Sequence, residues 1–99
     1  IILIKFIGYT VFKKEGTSTF NAICSDASFV YLLYSGNPLF GGAVPGYECR
    51  HLLVYNWSGK PERHYVLSNH ASSIYVEDGI AYCGTSFPEA GIFMYQLDL

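Results

Sequence analysis

The sequence predicts an all-β chain of short antiparallel strands, arranged as about two four-stranded blades of a β-propeller. Three observations lead there: a heavy aromatic load, close glycine punctuation, and an internal repeat. Aromatic residues make up 17% of the 99 positions, and nine of them are tyrosines. Tyr, Phe, Trp, Val and Ile fit a pleated, half-buried surface better than a helix. Ten glycines interrupt the chain too often for long helices. The hydrophobic share of 51% and charged share of 14% exclude a disordered chain, which needs low hydrophobicity and high net charge. A net charge of −2 leaves no basic surface for phosphate neutralisation, so nucleic acid is excluded as an expected partner.

Turn-forming residues cluster at 25–28, 35–46, 58–61, 68–73, 77–79 and 84–91. Between them lie β-type runs at 19–24, 29–34, 51–57, 63–67, 73–76, 80–83 and 92–97, and a further strand or hairpin arm is expected over 2–13. Several runs are too uniformly apolar for a sheet with one wet face, so both faces are expected to be covered. The clearest hairpin spans 51–67. Its turn, Trp57-Ser58-Gly59-Lys60, puts Gly59 where a positive φ is needed, and Pro61 must avoid a donor position in the ladder. Counting back from that turn sets His64 opposite Leu53. Residues 1–7, IILIKFI, fall far short of the ~20 apolar residues of a membrane span, so no transmembrane segment is expected. The opening Ile1 in place of Met is the expectation for a piece of a longer protein.

Residues 22–35, AICSDASFVYLLYS, align with 73–86, SIYVEDGIAYCGTS, at an offset of 51. Ile23 then meets Ile74, Asp26 meets Glu77, Phe29 meets Ile80 and Tyr31 meets Tyr82. LLVYNW at 52–57 meets IFMYQL at 92–97 at an offset of 40, which aligns Tyr55 with Tyr95. The change of offset is loop length, sixteen residues at 36–51 against five at 87–91. A unit of four short strands over roughly 40–50 residues is a propeller blade, and about 4–8 blades close a ring. The expected organisation is a remnant of a preceding blade over 1–18, blade one over 19–68 and a partial blade two over 69–99.

HLLVYNWSGKPERHYVL followed by SSIYVEDGIAYCGTS and GIFMYQLDL resembles the bacterial six-bladed propellers of the TolB-like and NHL-like type. In that group a strand ends in a V-Y-x-W-x-G-K-P hairpin and the next blade opens on S-I-x-V-x-D. The resemblance covers roughly 20–99 and implies a binding scaffold in the cell envelope or periplasm. This chain lacks about four of the six blades and shows no lipoprotein cysteine. Fold alone does not assign a function.

Motifs for chemistry are sparse. Cys24, Cys49 and Cys83 form no C-x-x-C pair and read as buried free thiols. Cys49, His51 and His64 match no metal-ligand spacing, so no metal site is expected. There is no G-x-S-x-G elbow, and the glycine-rich SGNPLFGGAVPGYE at 35–48 lacks both the Lys-Ser/Thr ending and the following helix of a phosphate loop. Asp26 and Glu77 are expected to be turn residues, while Tyr31, Tyr55, Tyr82, Tyr95 and Trp57 are expected to pack between blades. No cofactor follows from these residues, and the chain is read as a non-enzyme.

Blade geometry adds one sharper expectation. Loops 36–50, 68–72 and 87–91 would emerge on one face, gathering Asn37, Phe40, Tyr47, Arg50, Asn69, His70, Phe87 and Glu89 on one rim. Of these, Asn37, Phe40, Tyr47, Arg50, Asn69 and His70 are the expected ligand-binding set, for a protein or carbohydrate partner. The alternatives are a structural blade pair that oligomerises to complete a ring, and a fragment of a propeller enzyme whose active site lies elsewhere. Exposed strand edges lead to a homo-oligomer as the further expectation, a trimer as the closed ring or an edge-to-edge dimer.

Overall fold

The computed structural model describes residues 20–36 and 48–99. Seven strands form in that stretch, with no helix among the described residues: β1 (Phe20–Ser25), β2 (Phe29–Tyr34), β3 (Cys49–Asn56), β4 (Pro61–Ala71), β5 (Ser73–Glu77), β6 (Ile80–Thr85) and β7 (Gly91–Gln96). All neighbouring strands are antiparallel, in one sheet of order β1-β2-β3-β4 and a second of order β5-β6-β7. Only Ser72 separates β4 from β5, and its amide donates to the Gly84 carbonyl at 2.8 Å. The strand expected at 2–13 lies outside the described residues.

The two sheets stack with β1 and β2 against β5 and with β4 against β6. Side chains alternate across a strand, so every second residue reaches the seam. On the first sheet, Tyr31 faces Val54 across β2 and β3, and Leu33 faces Leu52. All four are fully buried. Val76, Ala81 and Cys83 meet them from the second sheet, and Leu67, Ala71 and Leu97 complete the core. Burying a Leu- or Val-sized side chain contributes about 1.5–3 kcal/mol, so this seam dominates the fold's stability. The opposite face of the first sheet buries Leu53 and Tyr55 but leaves Ile23 and Val66 each 67% exposed. The outer face of the second sheet does not match the expectation of two covered faces. Tyr75, Ile92 and Met94 are 57%, 76% and 68% exposed there.

Turn chemistry fixes the registers. In the β3–β4 hairpin Gly59 takes φ +87°, and Asn56 Oδ1 accepts from the Ser58 and Lys60 amides and the Ser58 hydroxyl. His64 stands opposite Leu53, and Pro61 pairs with Tyr55 at a register shift, where its missing N–H leaves no ladder bond broken. Asp26 organises the β1–β2 turn, its Oδ1 accepting from the Ser28 and Phe29 amides, both at 2.8 Å. Glu77 is not its counterpart: it ends β5, while Asp78 and Gly79, both at positive φ, make the β5–β6 turn. Trp57 does not pack between sheets. It is 61% exposed and donates from Nε1 to the Asp26 carbonyl, linking the two turns of the first sheet. The four tyrosines in register also part company. Tyr31 and Tyr95 join the seam, Tyr55 is buried on the opposite face of the first sheet, and Tyr82 shares the outer face of the second with Tyr75.

Candidate functional site

The site is built on an interruption of the β3–β4 ladder. His51 pairs with Val66, and the next pair is Cys49 with Ala71. One residue of β3, Arg50, therefore stands against four of β4, residues 67–70. Such an insertion bends the strand and frees backbone groups from the ladder. Long-range side chains take them up. Arg50 Nε donates to the Leu67 carbonyl at 3.0 Å and its Nη2 to the Ser68 carbonyl at 3.5 Å. From β7, the Tyr95 hydroxyl accepts from the Asn69 amide and from Asn69 Nδ2, each at 3.2 Å. The expected 63–67 strand thus runs on to Ala71, and the stretch expected as a loop is a bulged strand end.

Opposite the bulge lies the loop between β6 and β7. Thr85 Oγ1 accepts from the Phe87 amide and donates to the Phe87 carbonyl, which closes a tight turn. The loop is tied to the first sheet by Glu48, a fully buried carboxylate whose Oε1 accepts from both the amide and the hydroxyl of Ser86 at 3.1 Å. Sequence reading did not single out Glu48 for this role; its partner lies 38 positions away.

Between bulge and loop is a cleft of about 380 Å³, lined by Arg50, Ser68, Asn69, His70, Thr85, Phe87, Pro88, Glu89, Ala90 and Phe93. It brings together Arg50, Asn69, His70, Phe87 and Glu89 of the expected rim. Asn37, Phe40 and Tyr47 lie outside the described residues. His70 packs edge-on against Phe87 with ring centroids 5.5 Å apart, and its buried Nδ1 has no hydrogen-bond partner among the described residues. The cleft therefore offers a guanidinium, an amide, an imidazole and a carboxylate around two phenyl rings. Phe93 was missed as a lining residue, although its alternation with Tyr95 on β7 points it to the same side.

The three cysteines form no disulfide with one another, and Cys49 and Cys83 are buried. Burial pushes both thiols up to about 11, far from the lowered values of reactive cysteines. His51 Nδ1 lies 3.0 Å from His64 Nε2 on the outer side of the first sheet. Burial, then the neighbouring His51, holds His64 below the ordinary histidine range. No cluster of three or more His, Cys, Asp or Glu side chains occurs among the described residues. No helix among them is long and apolar enough to cross a membrane. Comparison with protein families, with curated proteins and with solved structures finds no match.

Proposed function

We propose that the chain is a pair of propeller blades acting as a non-enzymatic binding scaffold, whose cleft takes a protein or carbohydrate partner. The blade reading is supported by equal registers in the two sheets. Cys24 pairs with Tyr31 and Tyr31 with Val54, as Tyr75 pairs with Tyr82 and Tyr82 with Met94. Those positions differ by the 51 and 40 of the sequence alignment.

The observation that carries the binding reading is the cleft itself. Side chains from β3, the β4 bulge and the β6–β7 loop converge there, each held by bonds from a distant element. A volume of about 380 Å³ lies at the small end of ligand pockets and suits a mono- or disaccharide, or one anchoring side chain of a protein. Phe87 and Phe93 supply flat apolar surface, while Arg50, Asn69 and Glu89 supply donors and acceptors for hydroxyl groups or a peptide.

The test is NMR titration of the ¹⁵N-labelled chain with a panel of saccharides and of short peptides. Shift changes confined to residues 50, 67–70, 85–90 and 93 are expected with one class of ligand. His70→Ala and Glu89→Ala are expected to weaken that ligand at least tenfold with the amide spectrum otherwise kept. Turnover of a glycoside or ester by the chain would overturn the non-enzyme reading, and no response to either panel would overturn the cleft as a site.

A further inference from the structure

The first sheet carries a histidine pair that the cleft does not use. On β3 and β4, Leu53 pairs with His64 and His51 with Val66. Side chains two apart on a strand share a face, so His51 and His64 are diagonal neighbours on the side away from the seam. Long side chains reach one another across that diagonal. Here the ring nitrogens meet: His51 Nδ1 is 3.0 Å from His64 Nε2, with ring centroids 5.2 Å apart and planes tilted by 44°. Thirteen positions separate the two in the chain, a spacing without a ligand motif, and the hairpin register supplies the contact.

We propose that His51 and His64 form a two-imidazole binding site for a divalent transition-metal ion of the Ni²⁺ or Cu²⁺ class. Imidazole nitrogen suits such ions, whereas Mg²⁺ and Ca²⁺ take oxygen ligands. The spacing selects among them. Two nitrogens 3.0 Å apart, each at the ~2.0–2.1 Å of an imidazole–metal bond, subtend roughly 95° at the ion. A tetrahedral centre would need them about 3.3–3.4 Å apart at the same bond lengths. An angle near 90° is that of neighbouring ligands in tetragonal or octahedral coordination, the geometry of Cu²⁺ and Ni²⁺. The χ2 torsion of histidine is broad, so small ring turns bring both lone pairs onto one ion.

Coordination asks little of the proton inventory. In the present contact one nitrogen donates and the other accepts. The metal needs the neutral tautomers with protons on the far nitrogens, His51 Nε2 and His64 Nδ1. The proton between the rings moves to the far nitrogen of its own ring through water. The hairpin holds the pair in place: Asn56 Oδ1 pins the turn, and Leu53, opposite His64, is buried. Tyr34, paired with His51, sets its ring 6.0 Å from the imidazole. The strand partners Tyr34, Leu53 and Val66 bring neither a carboxylate nor a cation to the pair, which leaves the ion's remaining positions to water.

Titration of the 99-residue chain with Ni²⁺ tests the proposal, by calorimetry and by paramagnetic broadening of the amide spectrum. Ni²⁺ is the probe because Cu²⁺ oxidises thiols and the chain has three cysteines. One equivalent is expected to bind, with broadening centred on residues 51–53 and 64–66. His51→Asn and His64→Asn are each expected to weaken binding at least tenfold, because either one removes the chelate. Mg²⁺ is expected to give neither heat nor shift changes. Amide spectra of the metal-free variants establish that the fold is retained, and the broadening map of the unmodified chain locates the ion independently of them. No binding up to about 1 mM Ni²⁺, broadening centred on His70 or the cysteines, or an affinity unchanged in either variant would overturn the proposal. No ligand of the cleft enters these readouts, so failure here and failure there are separate results.

Discussion

The two sheets pair their strands in the same register but live in different surroundings. Leu52 of the first sheet is fully buried; Ile92, its counterpart in the second, is 76% exposed. Both sit on a third strand, opposite the second strand's Leu33 or Gly84. The comparison teaches that strand pattern and turn placement specify pairing, whereas burial is specified by what the sheet is stacked on. An isolated second sheet would hold its apolar outer row for no internal reason.

The sharpest way to break that comparison is a matched pair of truncations. Leu52→Ala is expected to cost about 2–5 kcal/mol, the loss of buried methyl groups plus the cavity left behind. Ile92→Ala is expected to stay within about 0.5 kcal/mol at low protein concentration, as a surface change away from special features. Urea unfolding monitored by tryptophan fluorescence measures both. Equal losses would show that the outer face is covered in solution even in the monomer.

Next in size is the tether between the sheets. Glu48→Ala removes the acceptor for two Ser86 donors and is expected to destabilise by about 1–3 kcal/mol, the range for leaving buried partners unpaired. Glu48→Gln keeps an acceptor oxygen and is expected to recover most of the loss. Hydrogen exchange of the Ser86 amide sharpens the assignment, because loss of protection there and not across β6 identifies the tether as local.

How much of this was legible in the sequence depends on the reach of the signal. The β3–β4 register was readable, down to His64 opposite Leu53, because Gly59 and Pro61 write the turn into adjacent residues. Tyr31 was expected at the packing seam, but β2 is apolar at every position, so its sequence did not say which face lies there. The bulge was not readable: Ser68, Asn69 and His70 have loop composition, and only Arg50 and Tyr95, 17 to 26 positions away, let them continue a strand. Glu77 was taken for a turn residue because it aligns with Asp26, yet the turn is written one step later by Asp78-Gly79, a dipeptide suited to paired positive φ. The rim residues Arg50, Asn69, His70, Phe87 and Glu89 were placed on one end by counting strands, and the structure sets them around one cleft. Their chemistry was readable only as residue types, since the bonds that orient them join distant segments.

The thiols give a kinetic test that compares the seam with its edge. Cys49 and Cys83, pushed up to about 11 by burial, hold roughly a thousandth of their sulfur as thiolate at pH 8, and the thiolate is the reactive form. Native-state labelling with a thiol reagent is expected to be at least a hundredfold slower at both than in denaturant. Cys24, half-buried at the β1 edge of the seam, is expected to label before either. Equal rates at all three would indicate opening of the whole seam.

The smallest expected effect ties the β1–β2 turn of the first sheet to pH. Burial raises the Asp26 carboxyl, but hydrogen bonds from the Tyr31 hydroxyl and the Phe29 and Ser28 amides outweigh it and hold the group below the ordinary carboxylate range. A group with a lowered folded-state value stabilises the fold above its unfolded value, about 3.9 for Asp, and that contribution is lost as pH falls through the folded value. Asp26→Asn is therefore expected to lower stability at pH 7 while flattening its fall below about pH 4. Urea midpoints of the unmodified chain and of Asp26→Asn between pH 2 and 7 test this. An acid limb left unchanged by Asp26→Asn would leave the Tyr31–Asp26 bond as geometry without a pH signature.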